Sequence, residues 1–399
     1  MPSRAPRARP LAVVVAGGGV AALELVLALN HLAADRVGVT MVAPEGDFTY
    51  RPPSTATPFA LGYEERYALS RLADDLGTRL VPEALARVAP ERHEIVTTSG
   101  GIVPYETLVL AVGARPYPAF QHAITLGGED TTEALTTLVS DLERGDVRRV
   151  AFVVPAGASW TLPLYELAIM TARHGWAIGI DGTQYWFVTP EPEPLAIFGA
   201  GAGQAVHEML EPEGITFIGS ARAEVRTGTV LLDRRQERIE AERIVCLPLL
   251  EGPRTPGVPT DIAGFIPVDA DGGVSGVPDA YAVGDATTFP VKQGGLACQQ
   301  ADAVAELIAA ATGAPVQPTR FRPVLRGKLM TGGRDRFLHH GLAGAPAAGK
   351  VSQQPLWWPP TKIAGRYLAP YLLGRDALLD ETSRSEPHVT IEAPLDGLH

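Results

Sequence analysis

Three small residues near the amino terminus, Gly17, Gly19 and Ala22, have the types and spacing to hold a diphosphate. They stand in Gly17-Gly18-Gly19-Val20-Ala21-Ala22, which meets the pattern G-x-G-x-x-A. The first glycine permits a tight turn, the second lets the backbone approach a pyrophosphate, and the alanine allows helix and strand to pack closely. The flanking residues supply the elements this chemistry needs. Leu11 to Ala16 reads as a short strand, the segment after the glycines as a helix through Leu32, and Val37 to Val42 as the next strand. In that order the free N–H groups at the helix amino terminus, with the backbone of Val20 and Ala21, face the anion. An acidic residue normally follows the second strand and takes the ribose. Ala43 stands there instead; either Glu45, two residues later, substitutes, or the ribose is held otherwise.

Two distant stretches belong with this site. In "ETLVLAVGARPYP", residues 106–118, a buried strand ends in Ala111-Val112-Gly113-Ala114. In residues 276–310 a strand closes at Gly284-Asp285, a loop carries Lys292, and a helix starts at about Gly294. Residues 120–250 between them read as a second β-α-β unit. "AFVVPAGASWTLPLYELA", residues 151–168, leads a buried strand through a small-residue turn into a helix. That is the layout of a dinucleotide unit without its glycine fingerprint. The next strand is near 184–189. Gly199-x-Gly201-x-Gly203 follows "TPEPEPLAI" rather than a strand, so it reads as a flexible or helix-capping segment.

Composition sets the outer bounds. A chain of 399 residues suffices for two or three domains. The formal net charge of −11 argues against nucleic acid as a partner. Cys246 and Cys298 are the only cysteines and form no C-x-x-C pair, which excludes a disulfide scaffold and a cysteine-rich zinc site. A reducing, cytoplasmic setting follows as the expectation. "MPSRAPRARP" followed by an apolar run imitates a signal peptide or membrane anchor, but three consecutive glycines and Glu24 oppose both, and residues 1–10 read as a loose tail. His339 and His340 have no nearby ligand set, so no metal is expected.

The three motifs, in this order and over most of the chain, resemble those of the two-dinucleotide-domain flavoproteins, the pyridine nucleotide-disulfide oxidoreductase superfamily. Within it the likeness is to sulfide:quinone oxidoreductases and type II NADH:quinone dehydrogenases, through "APEGDFTYRPP" after the second strand and "ACQQADAVA" in the late helix. The resemblance implies an α/β fold with two Rossmann-like domains, the first interrupted by the second, and a small C-terminal α+β region. The expected boundaries are 11–120 and 251–310 for an FAD-binding domain, 121–250 for a degenerate NAD(P)-binding-like domain, and 311–399 for a region covering the flavin or forming a dimer. FAD is the implied cofactor, held by Gly17, Gly19, Val20, Ala21, Ala22, Glu45, Arg51, Ala111, Val112, Gly113, Gly284, Asp285, Lys292 and Gly295. Asp285 would bind the ribityl chain. The helix from near Gly295 would aim its positive end at the flavin ring, with Lys292 either adding charge there or standing as a solvated loop residue. Gln299 and Gln300 match a quinone-side glutamine.

In relatives that use NADH, the second turn reads G-x-G-x-x-G before a glutamate matched here by Glu166. The glycine positions then fall on Ser159, Thr161 and Leu164, with Trp160 between the first two, and such residues obstruct a pyrophosphate. Pro163 is tolerable only in the first helical turn. The paired redox cysteines of sulfide oxidation are absent: Cys246 reads as a strand end and Cys298 as a packing residue. "FRPVLRGKLMTGGRDRFLHHG" reads as two short strands. The segment with Trp357, Trp358, Lys362, Arg366, Tyr367 and Tyr371 reads as a short helical pattern broken by Pro370, packing over the flavin, on another subunit or on a membrane surface. The final acidic, proline-rich segment reads as loose. The expected activity is electron transfer through FAD between a small donor and a quinone or other small acceptor, without ordinary NAD(P)H binding. Alternatives are an NAD(P)H:acceptor reductase with unusual nicotinamide binding and a non-catalytic flavoprotein sensor. A homodimer with at most peripheral membrane contact is the expected assembly.

Overall fold

The computed structural model describes residues 9–128, 130–233, 237–342 and 349–384. Most of the amino-terminal tail and all of the final proline-rich segment lie outside the described residues.

Leu11–Ala16 is the centre of the first sheet because it is apolar at every position. Its neighbours, all parallel, run in the order Ala280–Ala282, Thr107–Leu110, Leu11–Ala16, Val37–Val42, Arg79–Val81. Alternate side chains serve opposite faces. Val13 and Val15 pack with the helices Val20–Ala33 and Gly294–Ala311, while Val14 and Ala16 pack with Val88 and Ile95 of an antiparallel three-stranded layer on the other face. The last strand and last helix of this unit come from residues beyond 279, so the chain leaves the first domain and returns to complete it.

The intervening segment builds a second parallel sheet in the order Ile124–Thr125, Arg243–Cys246, Arg149–Val153, Gln184–Val188, Ile215–Ile218. The helices Thr131–Glu143 and Leu162–Ala177 pack on it. Pro163 lies in the first turn of the second of these, where its missing N–H has no helical partner to lose. Gly199 caps the helix Ala200–Leu210 at φ +88, which agrees with the capping reading of the 199–203 glycines. The two chain crossings between domains pair with each other as antiparallel strands, Arg115–Tyr117 with Leu249–Glu251.

The C-terminal region differs from expectation in two respects. Besides Val324–Leu329 and Arg336–Gly341 there is a third strand, Lys350–Ser352, too short and polar to show in the sequence. Leu325, Leu329 and Leu338 of this sheet join the second-domain core. Pro370 does not break a helix; it sits in the first turn of Leu368–Arg384. Glu24, fully buried, accepts the free amides of Tyr367 (2.9 Å) and Leu368 (2.7 Å) at that end.

Asp302, on the helix Gly294–Ala311, lies against Glu24 where the C-terminal segment docks. Burial and the Glu24 charge push its carboxyl up to about 8, with Arg366 opposing and Glu306 adding to the rise. The folded protein therefore binds a proton here that the unfolded chain releases at ordinary carboxylate pH. Stability falls as pH rises from the ordinary carboxylate range to about 8, and levels off above it. Melting temperatures across this window should decline, and Asp302→Asn should flatten the decline. An unchanged slope in Asp302→Asn would place the effect elsewhere.

Candidate functional site

The carboxyl ends of the first sheet open onto a cavity of about 1100 Å³. Ligand pockets run to roughly 1,000 Å³, so this one has room for a large organic cofactor. Its floor is the turn between Leu11–Ala16 and Val20–Ala33. Gly17 holds φ +125, and a Cβ on it would lie 2.2 Å from the Ala111 carbonyl oxygen, so only glycine fits. Its N–H donates to Val42 O at 2.8 Å, which fixes the turn to the second strand. At Gly19 nothing lies within 4 Å of an added Cβ: the backbone there faces open cavity. This is the surface a pyrophosphate would approach.

Gly17, Gly19, Val20, Ala21, Glu45, Arg51, Ala111, Val112, Gly113, Asp285 and Lys292 all line the cavity. Residues separated by 275 positions in sequence are thus brought together by adjacent strand ends. Ala22, Gly284 and Gly295 lie behind the wall. Ala22 is fully buried, Gly284 packs its Cα side against Ala21, and Gly295 packs against the Gln293 side chain.

Asp285 and Lys292 form the polar corner of the cavity. Burial pushes the Asp285 carboxyl up to about 6, and the Lys292 charge opposes that rise. Burial brings the Lys292 ammonium down to about 8, with Asp285 and Asp261 opposing. Lys292 is only 8% exposed, donates to Thr287 O and sits 4.0 Å from the Phe265 ring centre. It is a buried cation facing the cavity and not a solvated loop residue.

Gln299 and Gln300 do not line it. Gln300 Oε1 accepts the Gly284 amide at 2.6 Å, and Gln299 is engaged with Gly295 O (3.0 Å) and both backbone groups of Val324 (2.9 Å each). Both side chains are consumed in joining the helix to its neighbours. Gln293 is the glutamine at the cavity; it caps the helix Gly294–Ala311 by accepting Leu296 N at 2.9 Å.

The sequence did not reveal the pair opposite. Glu166, fully buried on the helix Leu162–Ala177, is ion-paired with Lys362, which lines the cavity. The carboxylate also accepts Thr55 Oγ1 (3.2 Å) and Met330 N (2.8 Å). Burial raises the Glu166 pKa, and the Lys362 charge opposes it. Lys362 and Ile363 reach the wall, so the middle of the segment with Trp357 to Tyr371 borders the cavity, while Trp357 packs on Phe337 and Trp358 is exposed. The second-domain turn contributes Ser159, Trp160, Leu162 and Pro163 to the same space.

Both cysteines are buried and unpaired, and burial raises the pKa of each thiol. They are packing residues. Among the described residues no group of three or more His, Cys, Asp or Glu is placed to hold a metal ion. No described helix is long and apolar enough to cross a membrane.

The cavity residues fit FAD: a glycine cradle that a Cβ would fill, an open backbone surface at Gly19, a buried acid–base corner and a capped helix aimed at it. The comparisons agree. Residues 11–311 match the family described as pyridine nucleotide-disulphide oxidoreductase. The sulfide-quinone reductase of Aquifex aeolicus is 24% identical over 213 residues, 50% of this chain and 47% of that protein. The nitric oxide reductase FlRd-NAD(+) reductase of Aeromonas hydrophila subsp. hydrophila is 27% identical over 228 residues, 54% of each. The chain thus spans about half the length of the curated relatives it matches. The crystallised sulfide:quinone oxidoreductase of Aquifex aeolicus superposes with a TM-score of 0.77 at 18% identity, covering 94% of this chain and 91% of that one. NDH2 of Plasmodium falciparum, solved with NADH, gives 0.66 at 11% identity, covering 93% and 95%. Cradle, topology and family match together establish that the chain belongs to the pyridine nucleotide-disulphide oxidoreductase family.

Proposed function

We propose that the protein passes electrons through bound FAD from a small organic or inorganic donor to a quinone or similar small acceptor, without ordinary NAD(P)H binding. The observation that carries this reading is one continuous cavity. It runs from the Gly17–Gly19 turn to Lys362, and Trp160 and Pro163 stand where a second dinucleotide turn would be.

FAD supplies two-electron chemistry when bound. Gly17, Gly19 and the first helical turn would hold its pyrophosphate, and Asp285 would take its ribityl hydroxyls. The amino terminus of Gly294–Ala311 and the Lys292 ammonium would favour negative charge on a ring placed beside them. Lys362, with Glu166 behind it, holds a proton at its Nζ beside the space where an acceptor oxygen would gain charge. Exposed Trp358 and Tyr63, at 81% and 69%, support peripheral contact with a membrane when the acceptor is lipid-borne.

Reoxidation tests the reading. Protein photoreduced without oxygen and mixed with a short-chain ubiquinone should regain its oxidised flavin absorbance within one mixing experiment. Flavin that stays reduced under quinone excess would contradict the proposal.

A further inference from the structure

We propose that the second-domain end of the cavity binds a flat, uncharged aromatic molecule against Trp160, in the place where a dinucleotide-binding domain holds its dinucleotide. The proposal rests on the flavin reading above and deepens it by naming the class of molecule that meets the cofactor from this side.

A dinucleotide needs free amides at a helix start, a turn that lets phosphate approach, and a carboxylate after the second strand for its ribose. Each is spent here. Pro163 removes an amide from the first turn of Leu162–Ala177. Thr161, which caps that helix, donates its hydroxyl to Glu191 at 3.2 Å. Glu191 is the acid that follows the second strand, Gln184–Val188, and it is turned inward. Tyr165 donates to it at 2.8 Å and Thr189 at 3.2 Å, and burial raises its pKa. Three hydroxyls occupy the carboxylate, so it is not available to a ribose.

What faces the cavity instead is apolar: Leu126, Leu135, Trp160, Leu162, Pro163 and Leu250. Trp160 is fixed, edge-on to buried Phe198 with ring centres 5.8 Å apart. It forms a flat wall that other side chains hold in position. Of the cations that line the cavity, Arg115 is paired with Glu251 at 2.9 Å, Lys328 with Asp335 at 3.4 Å and Lys362 with Glu166. A phosphate placed against this wall would lose water to apolar neighbours, whereas an aromatic ring gains both apolar burial and a ring partner.

The test is equilibrium titration of the FAD-loaded protein with 2-naphthol and, separately, with NAD⁺, read by the flavin difference spectrum and by calorimetry. The expected result is saturable 2-naphthol binding at one site per chain, with no response to NAD⁺ at matched concentration. Trp160→Ala should weaken 2-naphthol by about tenfold, and Trp160→Phe by no more than about threefold, with flavin content unchanged in both. If Trp160→Ala does not fold, Leu250→Glu places a charge on the same wall and should weaken binding as strongly. NAD⁺ binding in competition with 2-naphthol would overturn the proposal, as would 2-naphthol binding indifferent to both substitutions. A yellow protein that ignores 2-naphthol refutes this inference alone; a protein that cannot be loaded with FAD refutes the reading beneath it.

Discussion

Gly19→Val will purify as a folded protein without flavin. An added Cβ at Gly19 meets no atom within 4 Å, and the backbone there is extended at φ −88, so valine costs the fold little. The new side chain projects into the space the pyrophosphate would use. Direct N–H contact to the diphosphate is lost, and the affinity for FAD should drop by at least about 100-fold, the loss of roughly 3 kcal/mol in charge-assisted hydrogen bonds. The ratio of flavin to protein absorbance after purification, and again after FAD is added back, measures it. Gly17→Ala makes the contrast. Its Cβ would lie 2.2 Å from Ala111 O at a φ of +125, so that variant should lose stability as well as cofactor. A yellow Gly19→Val protein would place the cofactor elsewhere.

Lys362→Met carries the second large effect, in two separable readouts. Glu166 is fully buried, and removing its cation leaves a charge whose burial is uncompensated, a change that costs about 3–5 kcal/mol. The melting temperature should fall, and Glu166→Gln combined with Lys362→Met should recover much of it, because the pair goes together. Reoxidation of the reduced flavin by a short-chain ubiquinone should slow by about 10²–10⁴-fold in Lys362→Met, the range for a lost proton-transfer group. The double variant should stay slow while regaining stability. Recovery of the rate along with stability would assign Lys362 a structural role only.

The first nucleotide cradle was legible because its chemistry is local. Gly17, Gly19 and Ala22 lie within six residues, and the strands on either side carry continuous apolar runs. Asp285 and Lys292 were legible through a second strand-turn-helix signature. The Glu166–Lys362 pair was not, since 196 positions separate its members and only the C-terminal segment's path over the cavity joins them. The direction of Gln299 and Gln300 depends on the rotational phase of Gly294–Ala311, and its cap, Gln293, sets that phase. Residue types alone do not give that phase, and Gln299 and Gln300 turn away from the cavity. Pro370 misled for a related reason. A proline ends a helix or begins one, and only the buried Glu24 holding the Tyr367 and Leu368 amides shows which applies.

The degenerate second turn was visible as Ser159, Thr161 and Leu164 in the glycine positions, with Trp160 between the first two. The fate of Glu191 was hidden, because three hydroxyls from a helix and a strand end converge on it only in the folded chain.

The most direct measurement is anaerobic stopped-flow mixing of the oxidised, FAD-loaded protein with NADH and with NADPH, following the flavin absorbance. The account predicts that the flavin keeps its oxidised spectrum with either nucleotide while dithionite bleaches it. Rapid, saturable bleaching by NADH or NADPH would contradict it, and would show that a nicotinamide reaches the ring despite Trp160, Pro163 and the occupied Glu191.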